Sequence, residues 1–273
     1  MKLIKYIILG IIQGFTEPLP VSSSGHIFIF KYLLGSDITN DLSFEIIVNA
    51  GSLLAVLITY HKKILSIFKD FIFYLKSKDN RFEDGYKYSL YIIVGSIPIG
   101  IFGFLFKDYI ERFIDMNFTI IGLSFIITGI FLYFVKNINN RKRKLTLNDA
   151  LYIGIVQIIA LLPGISRSGS TLIAGLSCGL SKEDAFDYSF MIYIPISIGT
   201  TILGIGDLIN NNADILPYFL GFLFSFILSF FTLKWFKNLV RAGKLIYFSI
   251  YCILMGLFVL LFMWYNVFGE VYV

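Results

Sequence analysis

Apolar residues fill this chain in long blocks, separated by short basic or polar stretches. A helix needs about 20 apolar residues to cross ~30 Å of hydrocarbon. Six blocks meet that requirement within the usual tolerance, near 43–60, 89–106, 118–135, 185–208, 216–233 and 245–265. Two further apolar regions are broken in the middle. Residues 3–15 lead into Thr16-Glu17-Pro18-Leu19-Pro20-Val21-Ser22-Ser23-Ser24-Gly25-His26, after which a short apolar run reaches Leu34. Residues 150–162 lead into Pro163-Gly164-Ile165-Ser166-Arg167-Ser168-Gly169-Ser170-Thr171, followed by a short run to Leu180. A half-helix of a dozen residues extends ~18 Å, just past the membrane midplane. Prolines and glycines stop it there, so each pair is expected to form a re-entrant hairpin. Broken backbone at that depth is tolerated only inside protein or beside a wet cavity.

The two hairpins match each other. Gly10-Ile11-Ile12-Gln13 corresponds to Gly154-Ile155-Val156-Gln157, and Ser22-x-Ser24-Gly25 to Ser166-x-Ser168-Gly169 at the same offset. Each is followed by three spans, which predicts a single membrane domain over 1–273, built from a first repeat at 1–140 and a second at 145–273. An odd number of crossings per repeat turns the second copy upside down and brings the two tips together at mid-membrane. The fold class expected is therefore an all-α integral membrane protein, with six transmembrane helices and two re-entrant helical hairpins in an inverted-topology repeat.

Charge fixes the orientation. Basic residues collect in three expected loops: Lys62, Lys63, Lys69, Lys76, Lys78, Arg81 and Lys87; Lys136, Arg141, Lys142, Arg143 and Lys144; and Lys234, Lys237, Arg241 and Lys244. Residues 206–215 and 267–273 have none. Cytoplasmic loops are the basic ones, which puts both termini outside, with Lys2, Lys5 and Lys31 in mild disagreement. The composition, 57% hydrophobic and only 15% charged, belongs to a membrane protein. The net charge of +5 reads as a topology signal, not as a nucleic-acid footprint. Cys178 and Cys252 both lie in apolar stretches and read as packed small hydrophobes.

Ionisable groups at membrane depth each cost about 2.5–3.5 kcal/mol on insertion scales, so those at the tips carry weight. The first tip offers Gln13, Glu17, Ser22, Ser23, Ser24 and His26, and the second Ser166, Arg167, Ser168, Ser170 and Thr171. Gln13 and Glu17, four apart, share a helical face and supply two oxygen ligands of the kind a hard divalent cation takes. Arg167 has the planar fork that pairs with phosphate. Gly164 and Gly169 let backbone N–H groups approach an anion. His26 is a proton carrier near neutral pH, and Ser23 or a neighbouring serine is a nucleophile candidate. Singly, each has a plainer explanation: a serine run is a turn and helix cap, and Glu17 with Arg167 is a structural pair. Convergence of all of them at one depth favours phosphate chemistry. Glu45 and Asn49, one turn apart, are placed to line the same cavity.

The stretch from Gly10 to His26 resembles the first signature of the undecaprenyl-pyrophosphate phosphatases, also called bacitracin-resistance proteins. The stretch from Pro163 to Thr171 is similar to their second. The resemblance extends over essentially the whole chain. It implies a multi-pass enzyme of the cell membrane that removes the terminal phosphate of a long-chain polyprenyl pyrophosphate and so recycles the lipid carrier of cell-wall synthesis. Carried over, Gln13 and Glu17 would hold Mg²⁺ or Ca²⁺, and Ser23 and His26 would be the catalytic pair with Glu17 and Arg167. Ser22, Ser24, Ser166, Ser168 and Thr171 would bind substrate. Gln13 stands where many members have Glu, which leaves open how many carboxylates face the cation, and serine and histidine both stay open as nucleophile. The partners implied are the pyrophosphate lipid and membrane lipids, with no nucleic acid; a homodimer is left open. The alternative is a polyprenyl-phosphate flippase, because inverted repeats with broken helices also build secondary transporters. A transporter has no use for a nucleophile and base, so Ser23 and His26 favour the enzyme. A structural scaffold leaves the buried charges unexplained.

Overall fold

The computed structural model describes residues 2–35, 42–106, 118–135, 143–210 and 215–269. Lys136, Arg141, Lys142, residues 211–214 and the 270–273 tail, used above for orientation, lie outside them. Among the described residues the chain is helical, with ten α-helices and no strand. They are α1 (Lys2–Thr16), α2 (Ser23–Leu34), α3 (Leu42–Ser77), α4 (Glu83–Leu105), α5 (Phe118–Val135), α6 (Leu147–Gln157), α7 (Arg167–Ser177), α8 (Lys182–Asn210), α9 (Ile215–Arg241) and α10 (Ile246–Gly269). Five of these, α3, α4, α5, α8 and α9, are long and apolar enough to cross a membrane. The chain is thus a polytopic, all-α membrane protein. α10 is apolar as well over Ile246–Phe262.

Two expected loops are helical instead. α3 continues through Lys62, Lys63, Lys69 and Lys76 to Ser77, and Lys87 lies inside α4. Lys234, Lys237 and Arg241 form the last turns of α9. No proline or glycine lies in residues 62–77 or 234–241, and a helix entering water needs no apolar surface to continue. The extension of α3 also has something to pack on, since Phe71 and Tyr74 stack on Tyr86 of α4. At this basic end, Asp187 of α8 accepts hydrogen bonds from Tyr60 (2.8 Å), Lys63 (3.0 Å) and Lys237 (2.7 Å). One carboxylate so ties α3, α8 and α9 together.

The packing is reciprocal. α1 lies on α9 and α6 on α4, α3 runs beside α8, and α5 against α10. Lipid gives helices no hydrophobic reason to associate, so close backbone approach and polar contacts hold them. Gly10 of α1 abuts Gly221 of α9, and Gly154 of α6 abuts Gly95 of α4. Gly122 of α5 meets Gly256 of α10, and Gly129 of α5 meets the Ser249 carbonyl. Between α1, α3 and α9, Ser225 donates to the Val48 carbonyl (2.6 Å), and Ser229 donates to the Gly14 carbonyl (3.1 Å) with its hydroxyl 2.9 Å from that of Ser52.

A Cβ on Gly10 would sit 2.4 Å from the Gly221 carbonyl oxygen, and one on Gly154 2.5 Å from that of Gly95, whereas one on Gly100 meets nothing within 4 Å. Gly10→Ala and Gly154→Ala should therefore each destabilise the protein by about 1–3 kcal/mol through overpacking. Gly100→Ala should leave stability unchanged or slightly raised. Thermal unfolding in detergent checks this, and equal melting temperatures for all three variants would contradict the close glycine contacts.

Candidate active site

The last turn of α1 carries Gln13, and the Glu17 amide still donates to the Gln13 carbonyl (2.8 Å). Pro18 and Pro20 lack the N–H groups that further helix needs. The chain re-enters a helix at Ser23 through Ser22, whose φ of 65° lies in the left-handed region that side chains avoid. Holding it there costs roughly 1–3 kcal/mol and requires over-determination. That is present: the Ser22 hydroxyl accepts from the Gly25 amide (3.3 Å), and its carbonyl accepts from the His26 amide (3.3 Å) and from His26 Nδ1 (2.7 Å).

The second tip is built alike but without that strain. After α6 a short 3₁₀ turn covers Ile158–Leu161, and Leu162, preceding Pro163, is extended. Gly164 reverses the chain at φ 88°. Ser166, at an ordinary φ of −74°, caps α7 by accepting from the Gly169 amide (3.0 Å). Ser22 and Ser24 hydroxyls lie 3.3 Å apart, and Ser166 and Ser168 hydroxyls 3.2 Å apart.

The tips touch. A Cβ on Gly25 would come within 3.2 Å of the Gly164 Cα, and one on Gly169 within 3.3 Å of Pro20. Ser168 donates to the Leu19 carbonyl (2.9 Å). Arg167 Nη2 pairs with Glu17 Oε1 at 2.5 Å, both side chains being about 15% and 13% exposed. Glu17 Oε2 accepts from the Ser23 hydroxyl in a short hydrogen bond and from Gln13 Nε2 at 3.1 Å. One carboxylate therefore joins the serine and the arginine of opposite hairpins. Arg167 Nη1 is buried and unpartnered. The guanidinium thus keeps a donor without an acceptor, which a purely structural pair leaves unexplained.

Ser23 and His26 share no hydrogen bond. His26 is buried, its Nδ1 facing the Ser22 carbonyl and its Nε2 2.6 Å from the Tyr251 hydroxyl of α10, with which its ring stacks. A carbonyl only accepts, so Nδ1 carries the proton and Nε2 of the neutral ring accepts from Tyr251. Several hydroxyls serve the scaffold as well. Thr171 bonds the Arg167 carbonyl (3.0 Å) and Ser189 of α8 (2.5 Å), and Ser170 the Ser166 carbonyl (2.9 Å). Ser24 is exposed. Glu45 pairs with Lys31 (2.6 Å).

Gln13 and Glu17 bring one carboxylate and one amide to a common side, and among the described residues no three His, Cys, Asp or Glu side chains gather as a metal cage. That donor set fits a magnesium-like ion that takes part of its shell from substrate phosphate and water, and does not fit an ion held by protein alone.

The family model described as "Bacitracin resistance protein BacA" matches residues 6–258. The chain belongs to the BacA family. Among its relatives is "Undecaprenyl-diphosphatase 1" of Bacillus licheniformis, 42% identical over 267 residues, 96% of this chain and 98% of the relative. "Undecaprenyl-diphosphatase 1" of Halalkalibacterium halodurans is 43% identical over 263 residues, 94% and 95% of the two chains. "Undecaprenyl-diphosphatase 1" of Bacillus cereus is 40% identical over 265 residues, 95% and 97%.

In this BacA-family chain two residues at the tips escaped the sequence reasoning, Tyr193 and Tyr251. Tyr193 of α8 lies under Arg167, with the guanidinium carbon 3.7 Å from the ring centroid. Both are ordinary apolar-block tyrosines, two of 17 in the chain, and nothing in their neighbourhoods marks them out.

Proposed function

We propose that this protein is an undecaprenyl-diphosphatase of the cell membrane, hydrolysing a polyprenyl pyrophosphate to the lipid monophosphate and inorganic phosphate. The observation that carries this reading is the three-part contact at the tips: Ser23 donates to Glu17, Glu17 pairs with Arg167, and Arg167 keeps a buried donor free. The names of the relatives support the same activity.

In this reading Ser23 Oγ attacks the terminal phosphorus and passes its proton to Glu17. The bond from that phosphorus to the bridging oxygen breaks, and the electron pair leaves with the lipid phosphate. Water then adds to the phosphoserine, returns a proton to Ser23 Oγ and releases inorganic phosphate. Glu17 gives up its proton to the phosphates or to solvent. Arg167 neutralises charge on the transferring group, the main demand of phosphoryl transfer. His26 orders the strained Ser22 turn and is the second candidate nucleophile. A divalent cation, Mg²⁺ or Ca²⁺ bound by Gln13, Glu17 and the pyrophosphate itself, would add further neutralisation.

The architecture that goes with this function is six crossings and two re-entrant hairpins in inverted repeats, 1–140 and 145–273. Reciprocal packing of α1 on α9 and α6 on α4 supports it. So does the paired glycine contact, Gly10 on Gly221 and Gly154 on Gly95, since Gly10 and Gly154 are equivalent in the two hairpins. A flippase needs the ion pair but no serine on the carboxylate.

Purified protein in detergent should release phosphate from a polyprenyl pyrophosphate. Excess chelator should stop it, and Mg²⁺ or Ca²⁺ should restore it. Absence of release with either cation present would overturn the proposal, and full activity in chelator would remove the cation.

A further inference from the structure

We infer that Tyr193 is a positioning residue for phosphate binding, the platform that fixes the plane of the Arg167 guanidinium. This rests on Arg167 being the phosphate-binding group proposed above. The Arg167 Cζ stands 3.7 Å from the Tyr193 ring centroid, close enough for face-to-face stacking. Tyr193 is buried, and its hydroxyl donates to Asn49 Oδ1 at 3.1 Å.

The geometry explains why such a platform is needed. Arg167 has one ion-pair contact, Nη2 to Glu17 at 2.5 Å. A single contact at one nitrogen leaves the guanidinium free to swing about it. Stacking on an aromatic face removes that freedom, because the flat cation gains attraction from the ring only when it lies against it. The unpartnered Nη1 is then held in one direction, ready for a phosphate oxygen, and pays no reorganisation when the substrate arrives. Tyr193 comes from α8, outside both hairpins. The platform thus ties the arginine of one tip to a long helix of the scaffold, which holds a direction more firmly than a loop does.

The test measures kcat and KM for phosphate release from a polyprenyl pyrophosphate in detergent, per folded protein as judged by thermal unfolding. Tyr193→Phe keeps the ring face and should stay within about threefold of wild type. Tyr193→Leu removes the face and should lower kcat/KM by roughly 10–30-fold, the span of a desolvated cation–π contact. If the leucine variant fails to fold, Tyr193→Met carries the same comparison. Arg167→Lys cannot stack a planar fork, so Arg167→Lys/Tyr193→Leu should be little worse than Arg167→Lys alone. Effects that multiply in the double variant, a Phe variant as poor as Leu, or a Leu variant at wild-type rate would each overturn the platform. Wild-type turnover in Arg167→Ala would instead overturn the phosphate-binding role on which it rests.

Discussion

Glu17→Gln is expected to lower turnover by roughly a thousandfold or more, the scale on which loss of a positioned general base and of a charge partner combine. Three side chains converge on this carboxylate: the Ser23 hydroxyl, Arg167 and Gln13. Glutamine has the same shape but takes no proton from serine, and it presents an amide to a guanidinium that can only donate. Leaving Arg167 without its counter-charge also costs stability. Turnover should therefore be measured per folded molecule, with the unfolding temperature recorded beside it. A variant that retains a tenth of wild-type turnover would exclude Glu17 as the acceptor of the Ser23 proton.

Ser23→Ala should lose a similar factor while folding normally, because Ser23 contributes one hydroxyl and its neighbours Ser22 and Gly25 make the turn. The covalent species distinguishes the routes. Attack by serine predicts an acid-stable phosphoryl group on Ser23, trapped by rapid quenching in a variant slowed in the second step. An acid-labile adduct on His26, together with an active Ser23→Ala protein, would overturn the assignment. Loss of both adducts with activity intact would point to direct attack by water.

Much of the architecture was legible in the sequence because membrane spans follow from apolar length alone. The hairpin breaks were legible as well, since Pro18, Pro20, Pro163 and Gly164 cannot continue a helix. The continuation of α3 to Ser77 was not, because hydropathy marks where a membrane ends and says nothing of where a helix does. The contact of Glu17 with Arg167 was foreseen as an alternative to substrate binding; the structure brings the pair together and also leaves Nη1 over for an anion. Ser23 and His26, three apart, were expected to face a common phosphate on a helical tip. The helix does begin at Ser23, where Ser23 donates to Glu17 while His26 bonds the Ser22 carbonyl and Tyr251. Tyr193 and Tyr251 meet Arg167 and His26 from other helices, α8 and α10, which no local pattern encodes.

The gapless correspondence of the two tips pairs Ser22 with Ser166, and so sets Ser23 opposite Arg167 in the alignment. The same slot of a duplicated turn holds a hydroxyl in one copy and a cation in the other. Only the first copy carries the backbone strain, at Ser22. A pyrophosphate is itself nearly symmetric end to end, and a pair of identical tips would offer it two equivalent seatings. In the reading proposed above, divergence at this slot, and of Glu17 and His26 from Leu161 and Ser170, gives the cradle a head and a tail, so that the anion meets a reactive edge on one side and a gripping edge on the other.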